Sequence, residues 1–190
     1  GMLALQLAID QAEGPLRVRV WKDELEAWDM GDLAGQWFSD FLGQPGLRVA
    51  RFDPEVRRLS DLAWTGGVEA VNQFVDGYPL LVISAAALDG LNARLQAAGH
   101  GPIGIERLRP NLVLSGVEAH AEDRLAELRI ATRDGAVRLR PVKPCARCPI
   151  PNIDPQTAHR SPEVLQTLRG YRADARVDGK PSFGMNAIIL

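Results

Sequence analysis

Hydrophobic and polar positions alternate in short runs along much of this chain, and longer periods interrupt them in three places. LALQLAI (3–9) and LRVRVW (16–21) predict strands separated by the turn DQAEGP. In DMGDLAGQWFSDFLG the period lengthens to that of a helix. Leu33, Trp37, Phe38 and Phe41 fall at helical spacing, with Asp29 as cap and Gly43 as stop. LRVARF (47–52) returns to strand alternation. Residues 53–78 carry few periodic signals and the pair Gly66-Gly67, which predicts a long irregular segment. YPLLVIS (78–84) predicts a strand, and Ser84 then caps a helix over AAALDGLNARLQAAG. Its Leu88, Leu91 and Leu95 form one apolar stripe meant for the core, and Gly99 ends it.

Alternation resumes in RPNLVLSG (109–116), LAELRIA (125–131) and AVRLRPV (136–142), the last two joined by a hairpin turn at TRDG. DPQT turns the chain after residue 153. Ser161 and Pro162 suit the cap and first residue of a short helix running to Tyr171, and NAIIL closes with a strand. Many short strands with about three helices predict an α+β fold, mainly an antiparallel β-barrel or sandwich. There is no internal repeat and no low-complexity segment.

Composition narrows the function classes. The 190 residues are 46% hydrophobic and 24% charged with a formal net charge of -2, which gives no support to a nucleic-acid binder. No apolar run approaches the roughly 20 residues needed to span a bilayer, and no signal-peptide pattern opens the chain. Gly1-Met2 reads as a scar before an engineered start. Two cysteines in 190 residues make no disulfide framework, so a reducing cytoplasm is the expected compartment.

Charge is uneven locally. From Arg129 to Arg147 the chain carries Arg129, Arg133, Arg138, Arg140, Lys143 and Arg147 against the single acid Asp134. This run leads into KPCARCPIPNIDP, which holds both cysteines, Cys145 and Cys148. Either it is a solvated strand face, or it is an anion site beside a thiolate, since basic neighbours favour the thiolate and arginine forks suit oxyanions. A closed zinc site needs four ligands. There is no second cysteine pair, and His100, His120 and His159 are scattered singly, as expected of surface or loop residues. A redox dithiol would open a helix, whereas Pro144, Pro149 and Pro151 surround this pair. A single working thiolate fits the stretch better than either.

The segments RPNLVLSG, AED, KPCARCPIPNIDPQT, VLQTLRGYR and SFGMNAIIL stand in the order and spacing of MOSC domains, named for the C-terminal domain of the molybdenum cofactor sulfurase. The chain resembles most the group containing the mitochondrial amidoxime reducing component and its bacterial relatives. That resemblance implies residues 29–190 as the MOSC domain, lacking its closing strand, and residues 1–28 as the remnant of an N-terminal β-barrel domain. It implies the molybdenum cofactor, Mo-molybdopterin, with Cys148 as both the metal's thiolate ligand and the catalytic residue. Arg109, Asn111, Arg147, Asp76, Gly77, Tyr78 and Asn186 fall on cofactor-binding positions. Gly77-Tyr78 departs from the hydroxyl-bearing pair of some members, and Cys145 falls on a position that is not a ligand.

The activity implied is an oxidoreductase that removes oxygen from a small N-hydroxylated substrate, with electrons from a separate flavin or iron–sulfur donor. No G-x-G-x-x-G or ferredoxin cysteine cluster supplies electrons within this chain. Two alternatives remain: a sulfur carrier forming a persulfide on Cys148, and a cofactor-free remnant.

Overall fold

The computed structural model describes residues 2–190; Gly1, half of the dipeptide read as a scar, lies outside the described residues. The chain forms two compact units. One runs to Leu59 and takes back Val71–Asp76, and the other comprises Ser60–Ala70 and Gly77–Leu190.

In the first unit β1 (Gly14–Val20) pairs antiparallel with β2 (Asp23–Asp29), and after the helix α1 (Asp32–Leu42) the strand β3 (Ala50–Phe52) joins β2. β2 is absent from the sequence expectations because DELEAWD is rich in acids that disfavour strands. Its alternation is nevertheless real, since Leu25 and Ala27 are buried. The strand expected over residues 3–9 does not form. Leu3 and Ile9 stay exposed, and a carbonyl bond from Trp37 Nε1 to Leu3 (2.8 Å) is what ties this segment to α1. Alternation without a ladder to join does not make a strand. α1 also starts later than expected. Asp29 ends β2 and its Oδ1 accepts from the Gly31 N–H at 2.9 Å, while Gly31 itself, at φ 97°, is the cap residue.

Between β4 (Arg58–Leu59) and β5 (Val71–Asn72), a short antiparallel pair, the buried Arg58 organises the unit. Its Nε donates to Asp23 Oδ2 at 2.8 Å, and its two terminal nitrogens donate to the carbonyls of Gln73, Val75 and Asp76. A guanidinium with this many partners is satisfied without water.

The second unit begins with a one-turn helix, α2 (Leu62–Thr65), capped by Asp61 Oδ1 on the Ala63 N–H. It lies in the stretch read as irregular and makes four α-helices among the described residues, against about three expected. The strand β6 (Leu80–Ser84) leads into α3 (Ala85–Ala97), and β7 (Leu112–Leu114) returns parallel to β6. β8 (Leu128–Thr132) and β9 (Gly135–Ala146) form the expected hairpin; α4 (Glu163–Tyr171), β10 (Ala173–Asp174) and β11 (Lys180–Ile189) complete the unit. The sheet order is β7-β6-β11-β9-β8, with β10 also on β11. Among the described residues only β6–β7 is parallel, so the fold is α+β with a mainly antiparallel sheet.

Leu91 and Leu95 of α3, Val164 and Leu168 of α4, and Ile83 and Phe183 of the sheet make one fully buried cluster. Leu88 packs against it, so the predicted leucine stripe is core. α4 begins at Glu163 after Pro162, and Asn152 Oδ1, not Ser161, accepts from its Leu165 N–H at 2.9 Å. Ser84 does sit at the cap of α3, yet its hydroxyl accepts from the His120 N–H. His120 is a half-buried turn residue, within the surface-or-loop expectation. Its ring packs on Phe183 at 5.3 Å, and burial, reinforced by the Arg172 charge, pushes its pKa down to about 4. His100 and His159 are exposed as expected.

β9 and β11 pair with two irregularities. One extra residue bulges from β11 between Ser182 and Met185, and one from β9 between Pro141 and Lys143. Pro141 and Pro144 lie beyond the part of β9 that β8 covers, opposite Ala187 and Met185 of β11. Gly184, in the first bulge, has φ 79°, and a Cβ there would stand 2.6 Å from Ile83 Cγ1 and 2.7 Å from the Val82 carbonyl. Beyond β9, Asp154 accepts from Arg107 (2.9 Å) and from the N–H groups of Gln156 and Thr157, which closes the predicted DPQT turn.

Gly184→Ala is therefore expected to destabilise the protein by about 2 kcal/mol or more, from the left-handed backbone and the overlap together; urea denaturation checks it, and an unchanged midpoint contradicts this account of the bulge. The Arg107 guanidinium and the two backbone donors lower the pKa of Asp154 to about 2 from its ordinary 3.8. Its contribution to stability is thus complete above about pH 4 and is lost as pH falls toward 2. Asp154→Asn should be less stable at neutral pH and show a shallower acid limb over that window; an unaltered limb in acid titrations followed by circular dichroism would contradict it.

Candidate functional site

Four strands of the second unit bring one row of residues side by side. Lys143 on β9 stands opposite Asn186 on β11, and Asn186 stands opposite Leu81 on β6. Direct cross-strand partners share a face, so Lys143 and Asn186 point the same way. Asn111 closes the row. Its N–H donates to the Leu81 carbonyl at 2.9 Å, and its Oδ1 accepts from the Leu81 N–H at 2.8 Å. The side-chain amide thereby imitates a strand partner at the mouth of β7. Asn111 thus has a structural duty in this row.

The neighbouring stretch is held by Arg147. Its N–H donates to the Pro181 carbonyl (2.8 Å), Nη2 to the Leu108 carbonyl (2.9 Å) and Nη1 to Cys145 Sγ (3.2 Å). One side chain thus joins the cysteine segment to the residue preceding Arg109. Arg109 is exposed and has φ 55°, a left-handed conformation unusual for a side-chain-bearing residue, just before Pro110. Both cysteines are free. Cys145 is half-buried under Arg147, and Cys148 is exposed.

Tyr78 and Lys143 meet beside the row. Lys143 Nζ lies 4.9 Å from the Trp64 ring centre and 5.8 Å from that of Tyr78. Burial, helped by the Asp61 charge, pushes the Tyr78 hydroxyl up to about 12, and among the described residues that buried hydroxyl has no hydrogen-bond partner. Gly77 opens this segment of the second unit, whereas Asp76 belongs to the first. There Asp76 Oδ1 accepts from Trp21 Nε1 at 3.2 Å, and its carbonyl accepts from Arg58.

Asn111, Asn186 and Tyr78 are therefore gathered around one sheet face, and Arg147 couples the Arg109 and Cys148 segments. Lys143 and Trp64 were not singled out in the sequence. Lys143 was visible only as one charge in the basic run, because its register with Asn186 depends on two bulges. Trp64 lay in a stretch with no periodicity. Glu122 of the AED segment is fully buried, with neither carboxylate oxygen hydrogen-bonded among the described residues, while Asp123 pairs with Arg172 at 2.7 Å.

Comparison with known proteins agrees with the motifs. A MOSC domain family model matches residues 69–190. Mitochondrial amidoxime-reducing component 1 of Mus musculus is 35% identical over 160 residues, covering 83% of this chain and 45% of that protein. The Homo sapiens protein of the same name is 33% identical over 181 residues, covering 91% and 51%. Mitochondrial amidoxime reducing component 2 of Bos taurus is 31% identical over 157 residues, covering 81% and 44%. This chain spans about half the length of the curated relatives it matches. With the family model matching residues 69–190, well over half of its length, the chain belongs to the MOSC domain family.

Proposed function

We propose that this chain is the molybdenum-cofactor part of an oxidoreductase acting on N-hydroxylated compounds, with Cys148 as the protein's thiolate ligand to the metal. The MOSC family is one linked to the molybdenum cofactor, and the relatives are amidoxime-reducing by name. The observation that carries the reading is the Arg147 strut. It holds the segment of an exposed thiol against the segment of a strained, exposed arginine. Backbone strain of this kind collects at functional sites.

The residues present fit the cofactor. Among the described residues no three His, Cys, Asp or Glu side chains cluster closely enough to hold a metal between them. A metal on Cys148 must therefore arrive with donors of its own, as a dithiolene supplies, and a soft thiolate suits such a sulfur-rich centre. In this reading Arg109 and Lys143 meet the anionic charge of the group. Tyr78 offers its unpartnered hydroxyl, and Asn186 offers an amide on the same face as Lys143. Asp76 and Gly77 contribute from the loop, and Arg147 and Asn111 hold their segments in register. The cofactor supplies the two-electron chemistry that takes oxygen from an N–OH group. The chain's residues orient and neutralise it, and a separate flavin or iron–sulfur protein returns the electrons.

We place the protein in the cytoplasm. Among the described residues no helix is long and apolar enough to cross a membrane. The curated relatives are mitochondrial by name.

Protein from cells that make molybdopterin, given an electron donor, is expected to reduce amidoximes or hydroxylaminopurines, and protein from tungstate-grown cells is expected not to. Turnover independent of molybdenum, with cyanide-labile sulfur on Cys148, would instead establish the sulfur-carrier reading.

The two cysteines should separate sharply. Cys148→Ser replaces an exposed soft ligand by a neutral hydroxyl, and both bound molybdenum and turnover should disappear. Cys145→Ser leaves Arg147 a hydroxyl acceptor, for about 1 kcal/mol or less of stability. Metal analysis and thermal melts of both variants check this, and equal loss of activity in the two would mean a dithiol mechanism.

A further inference from the structure

We infer that the arginine face of the β8–β9 hairpin is a docking surface for an acidic protein, the flavin or iron–sulfur electron donor. The donor's role rests on the function proposed above, but no residue of this face is among those given to the cofactor. Arg129 on β8 stands directly opposite Arg138 on β9, and Arg140 lies two residues further along β9 on the same face. Ala131 and Ala136, also opposite each other and exposed, continue that face toward the turn. The face is thus flat, with guanidinium groups standing on it.

Charge on this face is out of balance. Like charges directly opposite on paired strands repel, and the neighbouring acid, Glu127, eases them only in part. Its Oε1 accepts from Arg138 Nε at 2.9 Å and its Oε2 from Nη2 at 2.7 Å. Those bonds hold the Glu127 carboxyl below its ordinary range, and the charges of Arg138, Arg129 and Arg140 act in the same direction. Three guanidinium groups therefore share one carboxylate. Among the described residues neither Arg129, which is exposed, nor Arg140, which is half-buried, has a carboxylate within ion-pair distance. Carboxylates arriving from outside fit forked donors of this kind. Nucleic acid is disfavoured by the net charge of -2 on the chain and by the acid among the arginines. A lipid surface is disfavoured because the apolar members of the face are alanines, too small to insert. From Arg140 the strand β9 runs on to Cys145, and Cys148 follows two residues beyond its end. A donor seated on the hairpin stands at the start of the strand that leads to the site.

Biolayer interferometry on the full chain tests the surface, with an acidic flavodoxin and an acidic plant-type ferredoxin as probes. Basic cytochrome c, duplex DNA and phosphatidylserine vesicles serve as controls. One or both acidic proteins should bind at low ionic strength, and binding should weaken as salt rises past about 0.1 M, where the screening length is about 10 Å. Arg129→Glu should weaken binding about tenfold and Arg140→Gln about threefold, with circular dichroism showing both folded. Glu127→Gln removes the acid beside the face and should strengthen binding about twofold or more, an effect that misfolding cannot imitate. In turnover, Arg129→Glu should raise KM for the reduced acidic protein and leave the rate with reduced methyl viologen, a small donor, unchanged. Absence of binding by both acidic proteins, binding indifferent to Arg129→Glu and Glu127→Gln, or tighter binding of the DNA or the vesicles overturns the inference. Failure of viologen-driven turnover in the unaltered protein would instead sink the reductase reading, and the binding measurements would still decide the docking surface.

Discussion

The second unit depends on what Arg147 does with its hydrogen bonds. Its main chain is pinned to β11 through Pro181, and its guanidinium spans to the Leu108 carbonyl while meeting Cys145 Sγ. Leu108 is itself fully buried in the core cluster. The strut therefore runs from the hydrophobic interior to the segment that carries the exposed thiol. A lysine could reach one of these acceptors but not several at fixed angles. Arg107, which ends the 3-10 turn Ile105–Arg107 just before Leu108, makes a second tie, to Asp154. Two arginines thus bind the turn before the R-P-N motif to the loop around the cysteines.

The basic run that stands out in the sequence is not one uniform wall. Arg138 is committed to Glu127 through two bonds, at 2.9 and 2.7 Å, on the exposed hairpin. Arg147 is committed to carbonyl and sulfur acceptors. Lys143 is the member of the run left with only aromatic faces as partners, and it is also the member in register with Asn186. Local charge surplus thus says that anions are welcome somewhere in the region. The pairing of strands decides which cation receives them.

Local signals made a good part of this structure legible. The leucine stripe of α3, the β8–β9 hairpin at TRDG and the closing strand segment all follow from periodicity and turn chemistry over a few residues. Residues 3–9 and β2 show the limit, because a polar strand with a partner forms and an apolar one without a ladder does not. The motifs single out Cys148, Arg109 and Asn186 as residues, but not what surrounds them. That Asn111 would spend its amide on Leu81, or that Trp64 would cover Lys143, depends on contacts between distant segments, which no window of sequence contains.

The two bulges on β9 and β11 have opposite senses. The stretch from Ser182 to Ala187 on one strand is as long as that from Pro141 to Ala146 on the other, so the ladder leaves the irregular zone in the phase in which it entered. Only Met185 and Asn186, facing Pro144 and Lys143, are out of step. Because the slip is cancelled within the same pair of strands, the rest of the sheet never feels it, and the inward and outward faces of Leu139 and Ile188 are kept. Removing the extra residue of either bulge would leave the pairs on both sides of it facing as before and would straighten the ladder only locally. Removing both would give a regular ladder in which Lys143 still faces Asn186. The two insertions therefore set the bend and twist of the strand pair and not which residues face each other.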